Sequence, residues 1–177
     1  MTEIARAVID TGIWIDIYLQ NYITPPPKQP YCDILDAFFD AEFVPVYSQA
    51  SFDELLRMLT TSRRVARAHN LNPASAGAFV GLIFAKAGEE VVIPGTLAVS
   101  TDRDDNPIIE TAYVGRVDYL VADDAHFHEP AVLALMKSLG TEVLYSKQFR
   151  RELRRRREAS ERADARDVAN ASSDTGE

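Results

Sequence analysis

Three features of the chain predict an α/β domain with a parallel sheet covered on both faces. Short apolar runs alternate with segments of 3.6-residue period, and each run is too far from the next to pair as a hairpin. Cap and turn residues (Asp10-Thr11, Asn106-Pro107, Gly140) stand where one period gives way to the other. At 177 residues, 46% of them hydrophobic, the chain suffices for one domain with a sizeable core but not for two.

The run AVI (7–9) is the first strand. It ends at Asp10-Thr11, where GIWIDIYLQNY continues as a helix capped by one of those two residues. TPPPKQP (24–30) breaks the pattern as a stiff loop, because proline removes donors and fixes φ. CDILDAFFDA carries apolar residues at 34, 35, 38 and 39, the spacing of an amphipathic helix. FVPVY (43–47) is the second strand, and Pro45 predicts that it is short or near an edge. From Ser48 onward, Phe52, Leu55, Leu56 and Leu59 form one helical stripe, and TTSRRVARAHNLNP predicts a further helix closing at 70–73. Pro73 opens a strongly apolar helix, AGAFVGLIFAKAG (76–88), which reads as buried, with Gly77 and Gly81 serving close packing. EVVIPG (90–95) is a third strand. Asn106-Pro107 starts a helix to about Gly115, DYLVA is a fourth strand, EPAVLALMKSLG a helix closed by Gly140, and TEVLY a fifth strand. After Phe149 the composition changes, so residues 1–149 are expected to form the domain. Residues 150–177 are expected to form an Arg-rich helix followed by a disordered tail.

The formal net charge of −8 speaks against a nucleic-acid partner that binds through a basic surface. The distribution is uneven: residues 150–177 hold eight arginines against seven acids, leaving the deficit with the body of the chain. One cysteine, Cys32, makes no internal disulfide, which points to a reducing cytoplasm. The N-terminus lacks the form of a signal peptide, and the apolar 76–88 segment is too short to span a bilayer and contains Lys86.

Aspartates gather where strands end and helices start: Asp10, then Asp102, Asp104 and Asp105, then Asp123 and Asp124. In an open parallel sheet the functional crevice lies beyond the carboxyl ends of the strands, so separate segments can bring carboxylates to one edge. Such carboxylates raise one another's pKa and call for a cation, best a hard divalent one such as Mg²⁺ or Mn²⁺. Each also has a plainer reading. Asp10 can cap a helix, Asp104 or Asp105 can cap the next, and Asp123-Asp124 can make a turn. His126 and His128 lack the further soft ligands of a zinc site and read as loop histidines.

The segments RAVIDTGIWID, SQASFDELLRML and DRDDNPIIETAYVGRVDYLVADDAHF, with GTEVLYSKQFRREL as a closing strand and helix, resemble the successive signatures of PIN-domain proteins. The likeness runs from about Arg6 to Phe149 and is strongest to the group described as toxins of toxin-antitoxin systems. It implies a Rossmann-like three-layer α/β/α PIN domain with about five parallel strands. It also implies a Mg²⁺- or Mn²⁺-dependent ribonuclease, hydrolysing RNA phosphodiesters in the cytoplasm, with an antitoxin protein and a second copy of the chain as partners. The family's catalytic, metal-holding acids fall on Asp10, Glu54, Asp105 and Asp124. Glu54 rests on the resemblance, since Asp53 and Glu54 both lie off the apolar stripe. The chain departs from the family at Gly12, commonly Asn, at Ala122, commonly Thr or Ser, and at Asp123, commonly Gly. Losing polar partners of that kind lowers metal affinity or activity ~10 to 100-fold. The alternatives are a catalytically weak PIN-fold module that binds RNA or antitoxin, and another Mg²⁺-dependent phosphohydrolase. Arg63, Arg64, Arg67 and the arginines between 150 and 157 are candidates for RNA contact, against the reading of a solvated charged face.

Overall fold

The structure, a computed structural model, describes residues 4–23, 31–61, 73–86 and 88–173. Its strands are β1 (Ala5–Ile9), β2 (Phe43–Tyr47), β3 (Glu89–Glu90), β4 (Tyr119–Val121) and β5 (Glu142–Leu144). All pairings are parallel, in the order β3-β2-β1-β4-β5. The chain therefore builds outward from β1 to β3, then returns to the other side of β1. That reversal opens a crevice beyond the carboxyl ends of β1 and β4, whose last residues, Ile9 and Val121, are register partners.

The helices among the described residues are α1 (Thr11–Ile23), α2 (Cys32–Phe39), α3 (Gln49–Thr61), α4 (Pro73–Lys86), α5 (Asn106–Gly115), α6 (Pro130–Leu139) and α7 (Ser146–Ser173). Strand periodicity sorts them into two layers. Ala7, Ile9, Tyr119 and Val121 pack with Ile13 and Tyr18 of α1, Phe38 of α2, Leu55 of α3, Phe79 of α4 and Phe149 of α7. Val8, Leu120 and Ala122 pack with Ile108 and Ile109 of α5 and Val132 and Met136 of α6. Burying a side chain of this size contributes about 1.5–3 kcal/mol, so the two central strands are held from both faces.

Several elements differ from the sequence expectation. The third strand is only Glu89–Glu90, displaced from the predicted 90–95. After Val91 donates its N–H to the Tyr47 carbonyl (2.8 Å), the chain leaves the sheet. Farther along, a side chain of α5 takes up its main-chain donors. β2 is five residues long and next to the edge, and β3 pairs only with Val46 and Tyr47, beyond Pro45. α4 is not buried all round: Ala76, Phe79, Val80 and Ile83 face the core, while Leu82 is 45% exposed. A Cβ on Gly77 or Gly81 would meet no described atom within 4 Å, so those glycines serve no close approach among the described residues. The predicted 62–72 helix and the 24–30 loop, with Arg63, Arg64 and Arg67, lie outside the described residues.

The closing helix starts at Ser146 and runs unbroken to Ser173, so the expected 149/150 boundary falls inside it. Phe149 and Leu153 belong to the core, and Arg150 and Arg154 both bond the Asp33 carboxylate of α2. Arg157 pairs with Glu42 at 2.5 Å and Arg155 with Glu152 at 2.6 Å. Much of the arginine run is thus neutralised by the chain's own acids. No helix among the described residues is long and apolar enough to cross a membrane.

Candidate active site

Asp10 follows β1 at the reversal of the sheet. Its N–H donates to the Val121 carbonyl (2.9 Å), which ties it to the end of β4, and its own carbonyl accepts from Ile13 N (3.1 Å) to open α1. The backbone N–H groups of Thr11 and Gly12 act to lower its pKa. A Cβ on Gly12 would lie 2.9 Å from Asp10 Oδ2, so glycine here gives the carboxylate room where the family commonly has Asn. Burial, followed by the charges of Glu54 and Asp105, raises the Asp10 pKa from 3.8 to about 7.

Glu54 comes from α3. Burial is the main cause that raises its pKa, which the Thr11 side chain acts to lower. The Thr11 hydroxyl also lies 3.4 Å from Asp10 Oδ1, so one residue links the two acids. Asp53 points elsewhere: it is exposed and accepts from Gln49 Nε2 at 2.9 Å, which separates the pair that periodicity left together. A buried knot of hydroxyls fixes α3. Ser48 N donates to Ser51 Oγ (2.9 Å), Ser51 Oγ to Ser48 O (2.8 Å), and Thr111 Oγ1 of α5 to Ser48 Oγ (2.8 Å).

Asp105 precedes α5. Its carbonyl accepts from Ile108 N and Ile109 N (3.1 Å each), yet its side chain makes no capping bond. Oδ2 is instead buried and without a hydrogen bond to any described residue. Capping therefore does not account for this carboxylate. Burial, then Asp102 and Asp124, raise its pKa from 3.8 to about 6. Asp102 makes a local turn, accepting from Asp104 N at 2.9 Å.

Two residues hold this loop: Asn106, which the sequence offered only as a helix start, and Glu110, which it did not single out. Asn106 Oδ1 accepts from Val99 N (2.8 Å) and Ser100 N (3.0 Å). Glu110, 3% exposed, accepts from Gly95 N (2.9 Å), Thr96 N (3.0 Å) and Leu97 N (3.1 Å). A buried carboxylate normally needs such donors, and a glutamate four residues after Asn106 on an otherwise apolar face was the signal available.

The two aspartates after β4 have different fates. Asp124 accepts from His126 N (2.9 Å) at the start of the short 3-10 turn Ala125–His128, and stays exposed. Asp123 is spent on the start of α7, accepting from Ser146 N (2.8 Å), Ser146 Oγ (2.7 Å) and Tyr31 OH (3.1 Å). Ala122 is fully buried in the layer of Phe127, Val132 and Met136. His128 places Nε2 3.0 Å from the Ala122 carbonyl and stacks on Tyr145, with centroids 3.7 Å apart.

Asp105 links the four acids electrostatically: its charge is felt by Asp10, and it feels the charges of Asp124 and Glu54 in turn. Among the described residues no three acidic, histidine or cysteine side chains are gathered tightly enough to hold an ion unaided. The donor set nevertheless suits a hard divalent cation. It is all oxygen, it carries repelling charge, and it includes the unpartnered Oδ2 of Asp105.

A family profile described as PIN domain matches residues 6–126. That span takes in β1 through the Asp124 turn, and so every one of these acids. No curated protein and no solved structure matches the chain.

Proposed function

We propose, from the premise that the chain belongs to the PIN-domain family, that it is a divalent-metal-dependent ribonuclease and the toxin component of a toxin-antitoxin system. The nuclease-like fold is the family's. The metal, the RNA substrate and the antitoxin partner are the finer reading. The observation that carries it is Asp105 Oδ2, buried and unpartnered, beside an Asp10 whose pKa is pushed to about 7.

Asp10 and Asp124, on the strand ends flanking the reversal, would be the principal ligands of Mg²⁺ or Mn²⁺. Asp105 and Glu54 would complete the set directly or through water, in keeping with ions that retain several waters beside one or two carboxylates. Such a cation supplies Lewis-acid stabilisation of the phosphodiester and an acidified water at neutral pH. Thr11 orients Asp10 and Glu54 through its hydroxyl. The Thr11 and Gly12 N–H groups favour the ionised form of Asp10 that binding requires. Charge neutralisation at this edge also removes the objection that a chain of net charge −8 would repel RNA.

The test is cleavage of single-stranded RNA by the full chain in Mn²⁺, with Asp10→Asn and Asp124→Asn variants shown to be folded by circular dichroism. Loss of at least ~100-fold in rate in both variants is expected. Equal cleavage by wild type and variants would sink the mechanism. Metal-independent RNA binding without cleavage would favour the catalytically weak module, a reading that the hydroxyl-free Ala122 supports.

A further inference from the structure

Glu129 stands just before α6, in the position from which an acidic side chain usually caps a helix, yet it makes no capping bond to that helix. Its carboxylate turns instead to the loop before α5 and the turn after β4. Oε2 accepts from Thr101 N at 3.0 Å, and Oε1 takes a short bond from Thr101 Oγ1 and lies 3.0 Å from His126 Nδ1. Thr101 Oγ1 is itself 3.1 Å from the same ring nitrogen. Thr101 belongs to the loop that leads into Asp105, and His126 to the turn that Asp124 opens. The two segments are otherwise fastened elsewhere: the loop to α5 through Asn106 and Glu110, the turn to β4.

We propose that Glu129 is a positioning residue for the nuclease site: by clipping Thr101 to His126 it sets the gap between Asp105 and Asp124. This rests on the functional reading above. Glu129 touches neither substrate nor cation in this role. The three bonds favour its ionised form, and the Glu129 pKa is accordingly lowered to about 2. His128, two residues beyond His126, shows the contrast. It is consumed by the Ala122 carbonyl and the Tyr145 ring and leaves the loop alone.

The experiment measures Mn²⁺ affinity by calorimetry, and amide exchange of the metal-free full chain, for wild type, Glu129→Ala, Glu129→Gln and Thr101→Ala. Glu129→Ala is expected to speed exchange across residues 99–105 without changing exchange in β1 and β4, and to weaken Mn²⁺ binding about tenfold. Glu129→Gln, which keeps an acceptor for Thr101, should recover part of that loss, and Thr101→Ala should fall between. Unchanged Mn²⁺ affinity in Glu129→Ala beside a normal wild-type heat overturns the clip and leaves the metal site standing. A wild-type chain with no Mn²⁺ heat that depends on Asp10 overturns the site reading and the clip together.

Discussion

Asp10 and Asp105 carry raised pKa values of about 7 and about 6, and the consequence for stability has a definite sign. A carboxyl whose folded pKa is raised holds its proton longer in the fold than in the unfolded chain. The metal-free fold therefore loses stability as pH rises from the ordinary carboxyl value toward the folded one. Glu54 is raised as well and acts in the same sense. His126 is raised chiefly by its bond to Glu129, so its contribution is present in acid and lost as pH rises through its folded value. Glu129, lowered to about 2, gives way only in strong acid, outside this window. The thermal midpoint of the metal-free chain should thus fall as pH rises from 5.5 to about 7, and Asp10→Asn should flatten the slope. A midpoint that rises over that range, or an Asp10→Asn profile parallel to wild type, would show that the carboxylates are not held as described. At this scale the sequence was partly readable. It placed the aspartates at strand ends, but only side-chain packing shows that Asp123 caps α7 while Asp105 caps nothing with its carboxylate.

Among the elements, α7 shows most clearly what composition hides. An arginine-rich run reads as a solvated charged face, but Phe149 and Leu153 recur at i and i+4 on one side of the helix and enter the core. Phe149 packs edge-on against Phe43, with centroids 5.3 Å apart, and tilted against Tyr119 at 5.6 Å. Phe149→Ala should cost about 3–5 kcal/mol in denaturant unfolding. A cost below about 1 kcal/mol would mean that the helix does not close the core. β3 erred in the opposite direction. VVI looked like a strand by composition, but after Val91 the chain leaves the sheet, and the N–H groups of Gly95, Thr96 and Leu97 just beyond go to Glu110, a tertiary partner that no local pattern announces. β1, β4, α5 and α6 were legible because each combines an apolar face with an explicit start or stop, such as Pro107, Pro130 or the left-handed Gly140 (φ 81°).

For the whole molecule, strand order sets the ends of β1 and β4 side by side, so that acids far apart in sequence fall at one edge of the sheet. The sheet reverses between β1 and β4, and loops from neighbouring strands diverge at that point, leaving a crevice that Asp10 and Asp124 flank. α3 and α5 bring Glu54 and Asp105 to its rim, locked to each other by the Ser48–Thr111 bond. The parallel α/β class could be read from alternating periods. The strand order and the position of the reversal depend on long-range pairing and became visible only in the fold. The central claim is that this arrangement is a cation site kept partly protonated until it is filled. Calorimetric titration with Mn²⁺ at pH 6.5, in two buffers of different ionisation enthalpy, measures it directly through the protons released. With Asp10 at about 7 and Asp105 at about 6, binding should release roughly one proton, most of which disappears in Asp10→Asn along with the affinity. Binding that releases no protons, or that is unaffected by Asp10→Asn, would contradict the account.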